Sequence, residues 1–388
     1  MDNKRLKIFG ELPEALVDDI LAKTEQVSGK LQESFSFLKD ECKKIKKQIE
    51  DAGIIRHESN LTLNRIPTSC GIDGSCTTKK LAVADLVAAA SVAVEGLKPP
   101  SHQGYWEKPH HRLYIEYRQH HPSTGILIRG LMTMMEIEMS AIVPHEMVLI
   151  DGSLLTPVIH FDKCISALQS LPEDDPLKRE IIVNTKSFLT AYSKILESAS
   201  TEKIWVGLPK RTSKRELGKR FGWSPYYDDR VILMSILSAG QFTQPCPIEK
   251  EPASIDFKIP SYDEETNELK NRVLTAIDNI FVMYYKPYDW SGVFRLEIAG
   301  SIINDVNKIA ALLYGIKSQC LTPAIMEPYP QFIAHKMVYR LSCAVSVFNQ
   351  VSISKLASSS SNHSEVFFYM RGYRTDYQWE KYDQQDMS

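Results

Sequence analysis

The sequence has no Cys-x-x-C pair, and its seven cysteines are odd in number and scattered from Cys42 to Cys343. That pattern excludes a disulfide framework and a thiolate zinc site, and it points to a reducing cytoplasm. Long apolar runs are missing too: nothing approaches the ~18 residues a membrane span needs. The amino terminus, Met-Asp-Asn-Lys-Arg-Leu-Lys, leads into no signal-like stretch, so neither export nor membrane insertion is expected. Positive charge is not in excess. With a formal net charge of -2, any role with nucleic acid needs a local basic surface. No internal repeat is present beyond one tetrapeptide. At 388 residues, 43% hydrophobic and 24% charged, the chain can bury one large core or two smaller ones.

The tetrapeptide is Ile-Asp-Gly-Ser, at Ile72–Ser75 and again at Ile150–Ser153. Each copy follows a strand-like apolar run, Cys70-Gly71-Ile72 in one case and Met147-Val148-Leu149-Ile150 in the other, so each aspartate is expected at a strand end where Gly-Ser turns the chain away. Asp-Gly-Ser is also a common turn. Its duplication after two hydrophobic strands favours a pair of carboxylates holding Mg²⁺ or Mn²⁺, which prefer hard oxygen ligands.

Around these two points the chain reads as α/β. Residues 12–52 carry Leu16, Ile20, Leu31, Phe35, Leu38 and Ile45 at helical intervals, giving one or two amphipathic helices that either cap the domain or meet a partner. Residues 81–94 suit a strand or hairpin, although their alanines allow a helix, and 111–118 alternate as a half-buried strand. Pro122-Ser123-Thr124 can cap a helix reaching Val143, before the strand that ends at Asp151. A helical segment follows over about 162–200, then a strand at 203–208. The order strand, strand, strand, helix, strand is that of a ribonuclease-H-like mixed sheet flanked by helices.

Residues 210–220 are the most basic segment; Lys210, Arg211 and Lys214 form either a solvated surface or a phosphate-gripping loop, with Trp223, Tyr226 and Tyr227 available to stack on unpaired bases. Residues 245–270 read as irregular, 279–285 and 293–298 as a hairpin, 302–314 as a helix, and 329–351 as largely helical. Residues 356–364 look like a loop and 366–370 like a short strand. The expected division is a helical extension at 1–58, a nuclease-like domain at 59–355 with its helical insertion at about 162–200, and a tail at 356–388.

Two aspartates need a third acid. Glu136 and Glu138 precede Asp151 on the expected helix and differ by about 200° around it, so only one can face the sheet. Sidedness leaves both open; Glu136, beside the Met135/Met139 stripe, is preferred. His335 follows a Tyr-Pro break and starts a helix, where it can supply a ligand or a general acid/base.

Together these segments resemble the NurA family of prokaryotic nucleases. The resemblance is carried by Ile-Asp-Gly-Ser at Asp73, the helical glutamate, Met-Val-Leu-Ile-Asp-Gly-Ser through Asp151, Trp-Val-Gly-Leu-Pro-Lys at Lys210, Arg-Leu-Glu-Ile at 295–298 and Tyr-Pro-x-x-x-Ala-His at Tyr329–His335. It spans roughly residues 60–345. It implies a manganese-dependent DNA nuclease with 5′-to-3′ exonuclease and single-strand endonuclease activity. It also implies a homodimer beneath a hexameric HerA-type ATPase, in DNA repair or anti-phage defence. Carried over, Asp73, Glu136, Asp151 and His335 would hold the ions, two per site; Lys210 would meet phosphate and Tyr329 would position substrate. Two rival readings are a catalytically silent DNA clamp for a motor and an actin-like nucleotide-binding fold. The second would use Asp73–Lys79 as a phosphate loop.

Overall fold

The computed structural model describes residues 12–370 apart from 63–64, 98–103, 107, 109, 199–201, 211, 250–262 and 361. Ten strands form one mixed sheet: β1 (Ile55–His57), β2 (Ser69–Lys80), β3 (Asp85–Glu95), β4 (His110–Arg118), β5 (Met147–Asp151), β6 (Ile204–Leu208), β7 (Gln241–Thr243), β8 (Cys246–Pro247), β9 (Ile280–Lys286) and β10 (Phe294–Ala299). Their order across the sheet is β1-β7-β9-β10-β6-β5-β2-β3-β4, with β8 also pairing with β9. The central β2-β5-β6 run is parallel, and β2-β3-β4 is an antiparallel meander. This is the expected ribonuclease-H-like α/β architecture.

Thirteen helices accompany the sheet among the described residues. They are α1 (Glu14–Ala22), α2 (Thr24–Asp51), α3 (Thr124–Ile142), α4 (Thr156–Leu168), α5 (Pro176–Glu197), α6 (Glu216–Phe221), α7 (Asp229–Ile236), α8 (Glu264–Ile277), α9 (Gly300–Ile303), α10 (Val306–Gln319), α11 (Tyr329–Val338), α12 (Leu341–Ser359) and α13 (His363–Tyr369). No helix of the described residues is long and apolar enough to cross a membrane.

Strand alternation decides which helices cover which face. In β5, Val148 and Ile150 enter the core under α3, α4 and α5, whereas Met147 and Leu149 enter the opposite core with Leu312, Leu313 and Ile316 of α10. A strand buried on both faces must be apolar throughout, which is why Met-Val-Leu-Ile stood out in the sequence. α3 lies across β2 and β3 on one side, and α11 crosses the same strands on the other. The end of α2 also joins the body, burying Cys42, Ile45 and Ile49 against Trp223 and Leu233.

Several expectations are corrected. β2 does not end at Asp73; it continues to Lys80, paired with β3 throughout. The Asp73–Lys79 stretch is therefore extended strand, not the phosphate loop an actin-like reading requires. The helical segment at 162–200 is two helices, parted where Asp175 accepts the Leu177 and Lys178 amides at 3.0 Å each and pairs with Arg118 at 2.6 Å. The helix expected at 302–314 is shifted, because Asp305 caps Asn307 and Lys308 and so starts α10 at Val306. The strand expected at 366–370 is helical. Serines continue α12 by donating to carbonyls four residues back, as Ser358 does to Ser354 at 2.8 Å, and the Asn362 side chain then caps α13. Most of the irregular segment, 250–262, lies outside the described residues. β1, at residues 55–57, pairs with β7, and α12 spans Leu341–Ser359.

Candidate metal centre and active site

The two Ile-Asp-Gly-Ser copies do different jobs. In β5, Asp151 is the last strand residue and Gly152 turns the chain with φ +94°. In β2, Gly74 stays in the strand, and its missing side chain is a window: a Cβ there would lie 2.6 Å from Glu136 Oε1. Gly71 serves the other face, where a Cβ would come 2.5 Å from the Pro330 carbonyl carbon at the start of α11. Gln331, fully buried, donates to the Ile72 carbonyl at 3.1 Å and fixes α11 there. Ile72 and Ile150 are register partners in neighbouring parallel strands, so Asp73 and Asp151, nearly eighty positions apart, fall side by side.

Asp73, Asp151 and His335 converge: one ligand atom from each lies within 4.8 Å of the others. His335 Nδ1 is 2.9 Å from Asp73 Oδ2, and the Gly74 amide donates to Asp73 Oδ1 at 2.8 Å. Burial, with the Asp151 charge adding to it, lifts the Asp73 carboxyl to about 6 despite the His335 bond and Lys210. Glu136 is pushed well above the usual carboxylate range by burial first and then by Asp73 and Asp151; the Gly74 amide opposes this. The His335 imidazole is raised mainly by its bond to Asp73. The cluster is thus short of cations, the electrostatic state expected of carboxylates arranged for a metal.

One cation is built in. Lys210, just past the end of β6, reaches Asp151 Oδ2 and Glu327 Oε2 at 2.8 Å each. Burial alone depresses its ammonium, yet Asp151 and Glu327 raise it overall. The turn after Asp151 is fixed from below by Glu297, which accepts from the Ser153 hydroxyl at 2.6 Å and the Leu154 amide at 2.9 Å. Glu297 is itself held by Arg295 at 3.0 Å, and Arg295 makes a bidentate pair with Glu216 at 2.6 and 2.7 Å. Glu297 and Glu327 were not singled out from the sequence. Glu297 lies in the Arg-Leu-Glu-Ile segment and Glu327 two residues before Tyr329, but neither has a spacing that reveals its partner.

The structure separates the two glutamates that the sequence left open. Glu138 is buried against Arg112 and Ser187, away from the acid cluster, whereas Glu136 meets Gly74 beside Asp73. Tyr329 opens α11, half-buried, next to the Pro330 that touches β2. Arg211 lies outside the described residues. Elsewhere in the described part of the basic run, Lys219 pairs with Glu249, whose carboxyl also feels Lys214, and Arg215 donates to the Trp223 and Ser224 carbonyls at 2.6 and 2.9 Å. Trp223 cannot stack on a base, because it is buried and donates to Gln48 at 3.1 Å. The Tyr227 hydroxyl donates to the Ser34 carbonyl, whereas Tyr226 is exposed.

A mixed sheet that gathers two strand-borne aspartates and a late histidine, with a helix-borne glutamate next to Gly74, defines a ribonuclease-H-like α/β protein with a carboxylate-rich centre. Residues 67–338 match the NurA domain family model, and the chain belongs to the NurA family of nucleases. Among solved structures, the NurA nuclease from Sulfolobus solfataricus is similar at 16% identity and a TM-score of 0.57, covering 90% of this chain and 99% of that one. A further NurA crystal structure matches at 11% identity and a TM-score of 0.51, covering 82% and 94%. A NurA solved with manganese matches at 11% identity and a TM-score of 0.49, covering 87% and 99%. No curated protein matches the sequence.

Proposed function

We propose that the protein is a metal-dependent DNA nuclease, acting as a 5′-to-3′ exonuclease and single-strand endonuclease. The observation that carries this reading is the convergence of Asp73, Asp151 and His335 within 4.8 Å, with Glu136 beside them through the Gly74 window. Carboxylates with one imidazole suit Mn²⁺, or Mg²⁺ through the oxygens alone. The elevation of Asp73 and Glu136 agrees with a site whose charge a cation would neutralise.

Asp73, Asp151, Glu136 and His335 would hold the ions, two in the full site. Bound there, divalent ions supply Lewis-acid activation of water and neutralise charge on the departing oxygen. The protein groups do the positioning. Glu297 and Ser153 set the direction of Asp151. His335, half-exposed and tied to Asp73 through Nδ1, keeps Nε2 for an ion or for proton transfer. Lys210 would exchange Asp151 for a phosphate oxygen while Glu327 keeps it in place, and Tyr329 at the head of α11 would position the strand.

The same reading includes a homodimer working with a hexameric HerA-type ATPase in DNA end processing or phage defence. Its support is the exposed apolar row of α1 and α2, including Leu16, Ile20, Leu31 and Phe35, which no described part of this chain covers. The test is incubation of end-labelled single-stranded DNA with the full-length protein and Mn²⁺, with and without chelator and with and without the ATPase. Cleavage that needs Mn²⁺ and is lost in Asp151→Ala is expected. Metal-independent cleavage, or an active Asp151→Ala protein, overturns the assignment.

A further inference from the structure

Beyond the acid centre, α3 and α4 carry positive charge that no carboxylate among the described residues pairs with. Arg129 lies on α3 at i-7 from Glu136, hence on the same side of the helix and about 10 Å toward its start. Its charge acts on the Cys76 thiol on β2, two residues past Gly74, which is about 7 Å along the strand. α3 and α4 meet closely beside it, since a Cβ at Gly130, next to Arg129, would lie 2.5 Å from the Cβ of Cys164, next to Lys163. Lys163 on α4 is exposed, and its charge and that of Arg129 both act on His160 between them. His160 bonds Thr133 Oγ1 at 3.0 Å, so Thr133 and His160 join α3 to α4 under the two cations. Among the described residues neither Arg129 nor Lys163 makes an ion pair with a carboxylate.

Two neighbouring uncompensated cations repel each other, an arrangement that an anion shared between them relieves. Their position selects the anion. Arg129 and Glu136, one at each end of the same helix face, both act on the Cys76 thiol. The cationic patch therefore begins where the acid centre ends, about one nucleotide step along an extended strand. We propose that Arg129, with Lys163, grips the backbone phosphate of single-stranded DNA next to the phosphate being cleaved, and so sets how the strand lies across the acids. This subsite rests on the nuclease reading and adds to it a second point of contact besides Lys210.

The test is binding of a fluorescein-labelled oligothymidine to the full-length protein in chelator, followed by anisotropy over a salt series, with cleavage in Mn²⁺ measured separately. Arg129→Ala and Lys163→Ala should each weaken binding, and each should reduce the slope of log affinity against log salt by about 0.7. Arg129→Lys should restore most of the slope. With Mn²⁺, Arg129→Ala should raise KM and change kcat little. Wild-type affinity and slope in the Arg129→Ala/Lys163→Ala double variant overturn the proposal, as does wild-type protein that fails to bind the strand. Lys163 is exposed, so Lys163→Ala alone decides the matter if loss of the Arg129 side chain unfolds the protein. Binding with the predicted salt slopes but no cleavage in Mn²⁺ would sink the nuclease reading and leave the subsite standing.

Discussion

Replacing Gly74 by alanine perturbs one functional atom and little else. The new methyl would lie 2.6 Å from Glu136 Oε1 and 2.8 Å from its Cδ and Cγ. Relief to ordinary contact moves the carboxylate by about 0.8 Å, and a glutamate side chain can yield that much by rotation. Gly74 has no positive φ, so the strand backbone accepts alanine, and the lost freedom of the unfolded chain offsets part of the strain by about 0.4–1 kcal/mol. The melting temperature should stay within roughly 3 °C of wild type. Cleavage should fall far more, since an ångström of misplacement at a reacting centre costs about 100-fold.

The assay pairs Mn²⁺-dependent cleavage of labelled single-stranded DNA with thermal melting, and includes Glu136→Ala and the double variant. If Gly74→Ala acts only through Glu136, it should cause no further loss where Glu136 is already absent. Gly71→Ala is the contrast: its methyl would meet the Pro330 and Gln331 backbone at 2.5–2.6 Å, so α11 must move and stability falls along with activity. Full activity in Gly74→Ala, or losses that multiply in the double variant, would refute the window.

Asp151→Ala should abolish cleavage while the protein stays folded, because removing one of two adjacent carboxylates relieves repulsion on Asp73; a large drop in melting temperature would contradict this. Glu136→Gln should lose most activity. Glu138→Gln should keep it, since Glu138 serves Arg112 and Ser187; equal losses would mean the wrong glutamate is assigned to the centre. Glu297→Ala leaves part of the Arg295 charge buried without its partner, so a loss of about 3–5 kcal/mol by denaturant unfolding is expected, with loss of activity through the Asp151 turn. Asp73 titrates at about 6 rather than 3.8, so the folded metal-free protein holds its proton more tightly than the unfolded chain does. Its contribution to stability is therefore greatest below 3.8 and declines as pH rises to about 6. An ion must displace that proton, so Mn²⁺ should raise the melting temperature more above about pH 7 than near pH 5; equal shifts would exclude Asp73 from the site.

What could be read from the sequence followed physical scale. Periodicities of two and 3.6 are local, so β2 to β6 and the helix bearing both glutamates could be found without coordinates. The pairing of Asp73 with Asp151 was also legible, because each copy of the tetrapeptide ends an apolar run and parallel neighbours in a sheet align such runs. The choice between Glu136 and Glu138 was not. It depends on Arg112 and Ser187, which come from a strand and a helix on either side, and on a missing atom at position 74. A glycine in Asp-Gly-Ser reads as a turn, and at Gly152 it is one; at Gly74 the same letters belong to an unbroken strand because β3 pairs with β2 out to Lys80.

The basic segment shows the converse. Six of the residues from 210 to 220 are lysine or arginine, and composition alone makes the run look like one phosphate-binding loop. Its charges divide by partner instead. Lys210 turns toward Asp151 and Glu327, while Arg215 and Lys219 are taken up by backbone carbonyls and Glu249. Arg129, isolated in an apolar helix, gives no compositional signal at all. No described carboxylate pairs with it, and for a polyanionic substrate an unpaired cation near the acids matters more than a basic run whose members are held by other partners.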